Sequence, residues 1–220
     1  MTERPGLDTM PASSCPIPKL PLVRALSIST CSWFIIATTG LICCLLYIGA
    51  GPVAAAEPPG FEVATAGTLK AGEPLPKPKY DVILTIRGAT SKFARAGVLK
   101  FDRATLEAMG MIRYTSKNRW YDKPVTYEGV LGSQLMRIIG VPSKARYLLV
   151  RALNDYAVRI PVSDFSRWPV MFALKLDGKY MTIREKGPIW VVYPNHLYPE
   201  LGRQPHLAKW IWQLKSIEFE

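Results

Sequence analysis

Val170-Met171-Phe172-Ala173-Leu174-Lys175-Leu176-Asp177-Gly178-Lys179-Tyr180-Met181-Thr182-Ile183-Arg184 decides the fold class. Two apolar runs flank Asp177-Gly178, a dipeptide that accepts the positive φ angles of a tight hairpin turn. The spacing predicts strands over 170–176 and 180–184. The same grammar extends in both directions. Tyr147–Arg151 and Tyr156–Ile160 flank the turn formers Asn154-Asp155, and Ile189–Tyr193 and Leu214–Phe219 are further strand-like runs. Upstream, Val82–Arg87 ends at Gly88, and Met111–Ser116 is strand-like. Helical signals are few and short. Asp102 can cap a helix running to Met109 before Gly110, Leu131–Ile139 shows one apolar face stopped by Gly140-Val141-Pro142, and Ser163-Asp164 opens a turn. Many strands with two or three short helices mean an α+β chain, mainly β.

Composition bounds the remainder. The 220 residues are 49% hydrophobic and 20% charged, which excludes disordered, collagenous and low-complexity classes. The apolar excess lies at one end. From Ser32 to Ala56 no residue is charged, and Arg4, Lys19 and Arg24 precede that run. Basic segment, apolar core, Pro52 and then Ala54-Ala55-Ala56 follow the order of a signal peptide, predicting cleavage after Ala56 and export to the periplasm. An uncleaved anchor in the inner membrane is the alternative, because the apolar run is long for a leader. Residues 57–78 hold five prolines and read as a tether, leaving 79–220 as the domain.

Cysteines narrow the chemistry. Cys15, Cys31, Cys43 and Cys44 all precede Ala56, so residues 57–220 contain no thiolate nucleophile and no cysteine metal site. His196 and His206 are the only histidines, and their spacing matches no compact metal motif. Nucleophile elbows, phosphate-cradling glycine loops and dinucleotide fingerprints are missing too. The segment before Ala56 takes three of the 28 basic and two of the 17 acidic residues, which leaves 57–220 a net charge of +10. Those cations are spread along the chain, which with export argues against nucleic acid as a partner. They suit a solvated basic surface near anionic lipid or an anion pocket.

Three constellations remain. Arg113-Tyr114-Thr115-Ser116-Lys117-Asn118-Arg119-Trp120 places hydroxyls, cations and an indole at the end of a strand, as a binding site or as an ordinary basic hairpin. Asn154-Asp155-Tyr156 is either a plain turn or a reader of a flat heterocycle. A carboxylate takes two parallel hydrogen bonds from adjacent N–H donors such as a pterin edge offers. In the second case Asp155→Asn would cost ten- to hundredfold in affinity. Arg184-Glu185-Lys186-Gly187-Pro188-Ile189-Trp190 with Tyr193-Pro194 brings backbone close to whatever lies above it, or forms an edge strand with proline at each end.

In order along the chain, Phe101-Asp102 with Leu106, Tyr127-Glu128-Gly129-Val130, Ala152-Leu153-Asn154-Asp155-Tyr156, Ile160-Pro161, Asp177-Gly178, Gly187-Pro188-Ile189-Trp190, Tyr193-Pro194 and Trp210 resemble the sulfite-oxidase-type molybdopterin-binding domain, in its short exported bacterial form. The resemblance covers roughly 80–220. It implies a compact sulfite-oxidase-like fold with a pterin cleft. Enzymes of that family bind molybdenum through a cysteine in the segment after the first helix. Here that segment, 111–120, offers only the hydroxyls of Tyr114, Thr115 and Ser116. A hydroxyl is harder and seldom ionised at neutral pH. The resemblance therefore implies a non-catalytic pterin-binding protein without molybdenum, reporting to a membrane sensor protein of cyclic-di-GMP turnover. Asn154 and Asp155 would read the pterin edge, Trp120, Tyr156 or Trp190 would stack on the ring, and Arg113, Arg184, Lys186 and Tyr193 would complete the cleft. The alternative is an oxidoreductase that retains a molybdenum cofactor without a cysteine ligand.

Overall fold

The computed structural model describes residues 60–220, so the leader or anchor expected over 1–56 lies outside the described residues. Eleven strands and three α-helices follow in chain order: β1 (Glu62–Thr65), β2 (Leu84–Arg87), β3 (Val98–Phe101), α1 (Arg103–Glu107), β4 (Met111–Ser116), β5 (Val125–Leu131), α2 (Gly132–Ile139), β6 (Tyr147–Ala152), β7 (Ala157–Pro161), α3 (Asp164–Arg167), β8 (Met171–Leu176), β9 (Lys179–Tyr180), β10 (Trp190–Val192) and β11 (Leu214–Phe219). One sheet has the order β1-β4-β5-β8-β10, with β9 also paired to β8. The other has the order β3-β2-β11-β6-β7. All pairs are antiparallel except β2 with β11. The chain is α+β and mainly β, as its hairpin grammar predicts. Among the described residues no helix is long and apolar enough to cross a membrane.

Local chemistry accounts for the placement of each element. In β2, Leu84 and Ile86 are fully buried while Arg87 is exposed, the two-residue period of a half-covered strand. β8 and β10 lack that alternation. Met171 to Leu174 and Trp190 to Val192 are all buried, as expected of strands covered on both faces. One continuous apolar cluster runs from Leu84, Ile86 and Ile217 to Phe172 and Val191. At Gly129 a β-carbon would lie 2.1 Å from the Phe172 carbonyl oxygen, so β5 approaches β8 closely only because this position has no side chain.

Two expectations need adjustment, and one strand was not expected. Residues 57–78 are not all tether. Their prolines lie at 58, 59, 74, 76 and 78, and the proline-free run between them supplies β1, which hydrogen-bonds along β4. The strand expected over 180–184 stops at Tyr180. Thr182 and Glu185 exchange side-chain and backbone hydrogen bonds in a capping box and turn Ile183–Glu185 into a 3-10 helix. β3 went unforeseen, although Val98 to Phe101 pairs in register with β2.

Asp102 caps α1 as expected and does more. One carboxylate oxygen accepts from the Thr105 N–H and hydroxyl, and the other accepts from the Lys79 and Tyr80 N–H groups. Burial opposes its ionisation, but these four hydrogen bonds outweigh that and hold the carboxyl at about 2, below its ordinary 3.8. Because the folded value is depressed, the stabilisation is complete above the unfolded value near 4 and is lost as pH falls towards 2. It amounts to about 2 kcal/mol. Urea unfolding of wild type between pH 5 and pH 2 should show that loss, and Asp102→Asn should flatten it. Identical slopes for the two proteins would show that Asp102 is not linked to folding in this way.

Candidate functional site

The site grows from a cluster of indoles. After β4, the Asn118 side chain is buried, donates to the Tyr127 hydroxyl and accepts from the Trp120 N–H at 2.9 Å. That turn presents the Trp120 ring to Trp190 and Trp210, both with centroids at 5.4 Å, and to Trp212 at 5.7 Å. Edge-to-face and tilted geometry of this kind is what the aromatic quadrupole favours. Trp190 comes from β10. Trp210 and Trp212 come from the segment leading into β11.

Opposite this cluster lies the β6–β7 turn. Asn154 accepts from the Tyr156 N–H at 3.2 Å, and the Tyr156 hydroxyl donates to the Ala208 carbonyl at 3.3 Å. Between turn and indoles opens a cleft of about 290 Å³, lined by Trp120, Asn154, Tyr156, Leu207, Trp210 and Trp212 among others. Its walls are aromatic and aliphatic, with an amide and a phenol as side-chain polar groups. Among the described residues no carboxylate lines it. Such a slot suits a small, flat and largely uncharged ring.

Two further groups border the indoles. The Lys186 ammonium lies 4.7 Å from the Tyr121 ring centroid and 5.4 Å from that of Trp190, within cation–π range of both. The Trp190 indole N–H is fully buried and has no hydrogen-bond partner among the described residues. A buried donor without a protein partner costs free energy, and Trp190 sits behind Trp120 and does not itself line the cleft.

The sequence-predicted residues therefore separate. Trp120, Asn154 and Tyr156 meet in the cleft, with Trp190 and Lys186 directly behind it. Asp155 belongs to the same turn but does not line the cleft. Its φ is +64°, and its carboxylate pairs with the Lys215 ammonium at 2.9 Å. Hydrogen bonding to and attraction from Lys215 lower its pKa. Tyr193 is fully buried, and its hydroxyl donates to Asp164 at 2.8 Å. Burial, then the Asp164 charge, pushes its pKa well above the ordinary value. Arg113 pairs with Glu62 at 3.0 Å on a second cavity of about 590 Å³, beside Tyr114, Thr115 and His196. Arg184 is exposed on the 183–185 turn and lines neither space. Sequence reasoning missed Trp212, Leu207 and Tyr121. The Trp210-Ile211-Trp212 cluster was the available signal, since all three of its apolar side chains line the cleft.

Segment 111–120, where the sulfite-oxidase-type family carries a metal-binding cysteine, presents hydroxyls instead. Tyr114 donates to the Val192 carbonyl, the Thr115 hydroxyl bonds to that of Thr126 at 2.8 Å, and the Ser116 hydroxyl donates to Asn195 at 2.5 Å. Each is neutral, hard and already engaged, so this donor set does not fit a thiolate-bound metal. Among the described residues no three His, Cys, Asp or Glu side chains are grouped to hold a metal ion.

Comparison with known proteins places the chain. The family model described as "Oxidoreductase molybdopterin binding domain" matches residues 100–220, more than half of the chain. No curated protein matches. Among solved structures, the sulfane dehydrogenase SoxCD of Paracoccus pantotrophus is similar, at 17% identity and a TM-score of 0.48. The match covers 76% of this chain and 49% of that one, so it spans about half the length of the matched SoxCD chain.

Proposed function

The chain belongs to the oxidoreductase molybdopterin binding domain family, and from that premise we propose that it binds a pterin without catalysing a reaction and reports the bound ligand to a membrane protein. One observation carries this reading. The indole-walled cleft of about 290 Å³ is shaped for a flat heterocycle, while the segment expected to hold the metal offers only engaged hydroxyls. Trp120 stacks on the ring, and the Asn154 amide and Tyr156 hydroxyl read its polar edge. The leader-like order of residues 1–56 supports export to the periplasm. Resemblance to short exported forms supports a partner in cyclic-di-GMP turnover.

Titration of reduced and oxidised pterins against tryptophan fluorescence tests the reading. Stacking on the indole cluster should quench emission saturably, at one ligand per chain. A flat titration with both oxidation states would end it. The absence of a thiolate makes a separate forecast: protein purified from its own compartment should hold far less than one molybdenum per chain. Stoichiometric metal by elemental analysis would instead favour a molybdenum-dependent oxidoreductase.

A further inference from the structure

Away from the cleft, the segment Leu75–Pro78 forms one wall of a groove of about 960 Å³ on the β2–β3 strand pair. The pleat dictates what that surface presents. Leu84, Ile86, Leu99 and Phe101 are buried, so Thr85, Arg87, Val98 and Lys100 project to the other face. Register places Lys100 opposite Thr85 and Arg87 opposite Val98, which alternates charge with smaller side chains. Half-buried Leu75, Phe93 and Val98 supply an apolar floor, and exposed Lys77, Arg87, Arg95 and Lys100 supply four cations around it.

None of these four cations is in an ion pair among the described residues, and no carboxylate lines the groove. The Lys92 ammonium lies 5.1 Å from the ring centroid of Phe93, which lines the groove. Glu218 stands level with Arg87 on the neighbouring strand β11 and does not line the groove. Like charges concentrated on one concavity repel one another and disfavour the folded state. A ligand of opposite charge relieves that repulsion.

We propose that this groove docks an extended acidic segment of a protein partner. Its carboxylates lie against Lys77, Arg87, Arg95 and Lys100, and its apolar side chains rest on Leu75, Phe93 and Val98. Concavity favours a polypeptide over a lipid surface, because a headgroup plane meets convex or flat protein and cannot follow a groove floor. Pro76 and Pro78 hold the wall extended and contribute no backbone N–H of their own, so recognition falls to side chains. An apolar centre ringed by charge is the ordinary anatomy of an interface, and the charges act chiefly on steering and specificity. The inference stands apart from the pterin reading, since none of these residues lines the cleft.

The test is fluorescence anisotropy of the full chain with a labelled peptide that alternates glutamate and leucine, beside a control peptide with glutamine for glutamate. Binding of the acidic peptide alone is expected, and it should weaken with added salt as the screening length falls to about 10 Å near 0.1 M. Arg87→Glu with Lys100→Glu should cost at least about tenfold in affinity, since like charges then face each other across the interface. Lys123→Glu with Lys144→Glu makes the same change in net charge outside the groove and should cost no more than about twofold. Arg87→Ala with Lys100→Ala, compared with wild type by melting curve, covers the case in which the reversal unfolds the chain, and should also weaken binding. Equal losses from both reversals would reduce the effect to net charge and overturn the proposal. Binding to phosphatidylglycerol vesicles but not to the acidic peptide would overturn it in favour of lipid.

Discussion

Replacing Asp164 with alanine is expected to lower the unfolding free energy by about 3–5 kcal/mol, because it strands a buried cation. A single carboxylate oxygen of Asp164 accepts from the Lys209 ammonium and from the Tyr193 hydroxyl, both at 2.8 Å. The side chains of Asp164 and Lys209 are only 6% and 13% exposed. Without the carboxylate, Lys209 keeps a long contact of 3.4 Å to His206 and a place 6.0 Å from the Tyr193 ring centroid, and Tyr193 loses its hydroxyl partner. Asp164→Asn retains an acceptor for Tyr193 but leaves the ammonium uncompensated, and should fall between. Combining Asp164→Ala with Lys209→Met removes both charges and should recover much of the loss, as buried pairs do when replaced together. Urea unfolding at neutral pH measures all four proteins. Single variants within about 0.5 kcal/mol of wild type, the scatter of ordinary surface changes, would show that the pair contributes nothing to the fold.

That ion pair also bears on function. Lys209 closes the 3-10 turn His206–Lys209, whose Leu207 and Ala208 form a wall of the cleft. Anchoring the turn through Asp164 of α3 and Tyr193, the residue after β10, holds that wall against the indoles. Pterin affinity should therefore fall in Asp164→Asn even at temperatures where the variant remains folded.

How far the sequence spoke for the structure follows from the range of each signal. Local signals carried through. The Asp102 cap, the Asp177-Gly178 turn and the Asn154-Asp155 turn each depend on residues within a few positions, and each appears where the pattern places it. β1 was hidden because the prolines at either end of 57–78 dominate the composition of that stretch, while the four residues of β1, which pairs with β4, include none. The cleft was partly legible. Trp120, Asn154 and Tyr156 were chosen for their chemistry, and the fold does bring them together across 36 positions of chain. Side-chain direction was not legible. Asp155 and Tyr193 have suitable chemistry, but the positive φ of one and the burial of the other turn them towards Lys215 and Asp164. Direction of this kind depends on long-range pairing, which spacing along the chain does not encode.

The second large effect is expected at Trp120. If a pterin stacks in the cleft, Trp120→Ala should weaken its binding roughly tenfold to hundredfold, since one stacked aromatic is worth about 1–3 kcal/mol to a flat base. Trp120→Phe keeps a ring in the same place and should retain most of the affinity. Asp155→Asn makes the useful contrast. A pterin edge read by the Asp155 carboxylate would lose ten- to hundredfold with this change. The carboxylate instead pairs with Lys215 and its side chain is 74% exposed, so affinity should change by no more than about twofold. Asparagine also tolerates the +64° φ of this position, so the turn should survive. Calorimetric titration of the three variants and wild type with the same pterin, alongside melting curves, separates a lost contact from a lost fold. Asp155→Asn losing tenfold while Trp120→Ala binds as wild type would move the ligand to the outer side of the β6–β7 turn and remove it from the indole cleft.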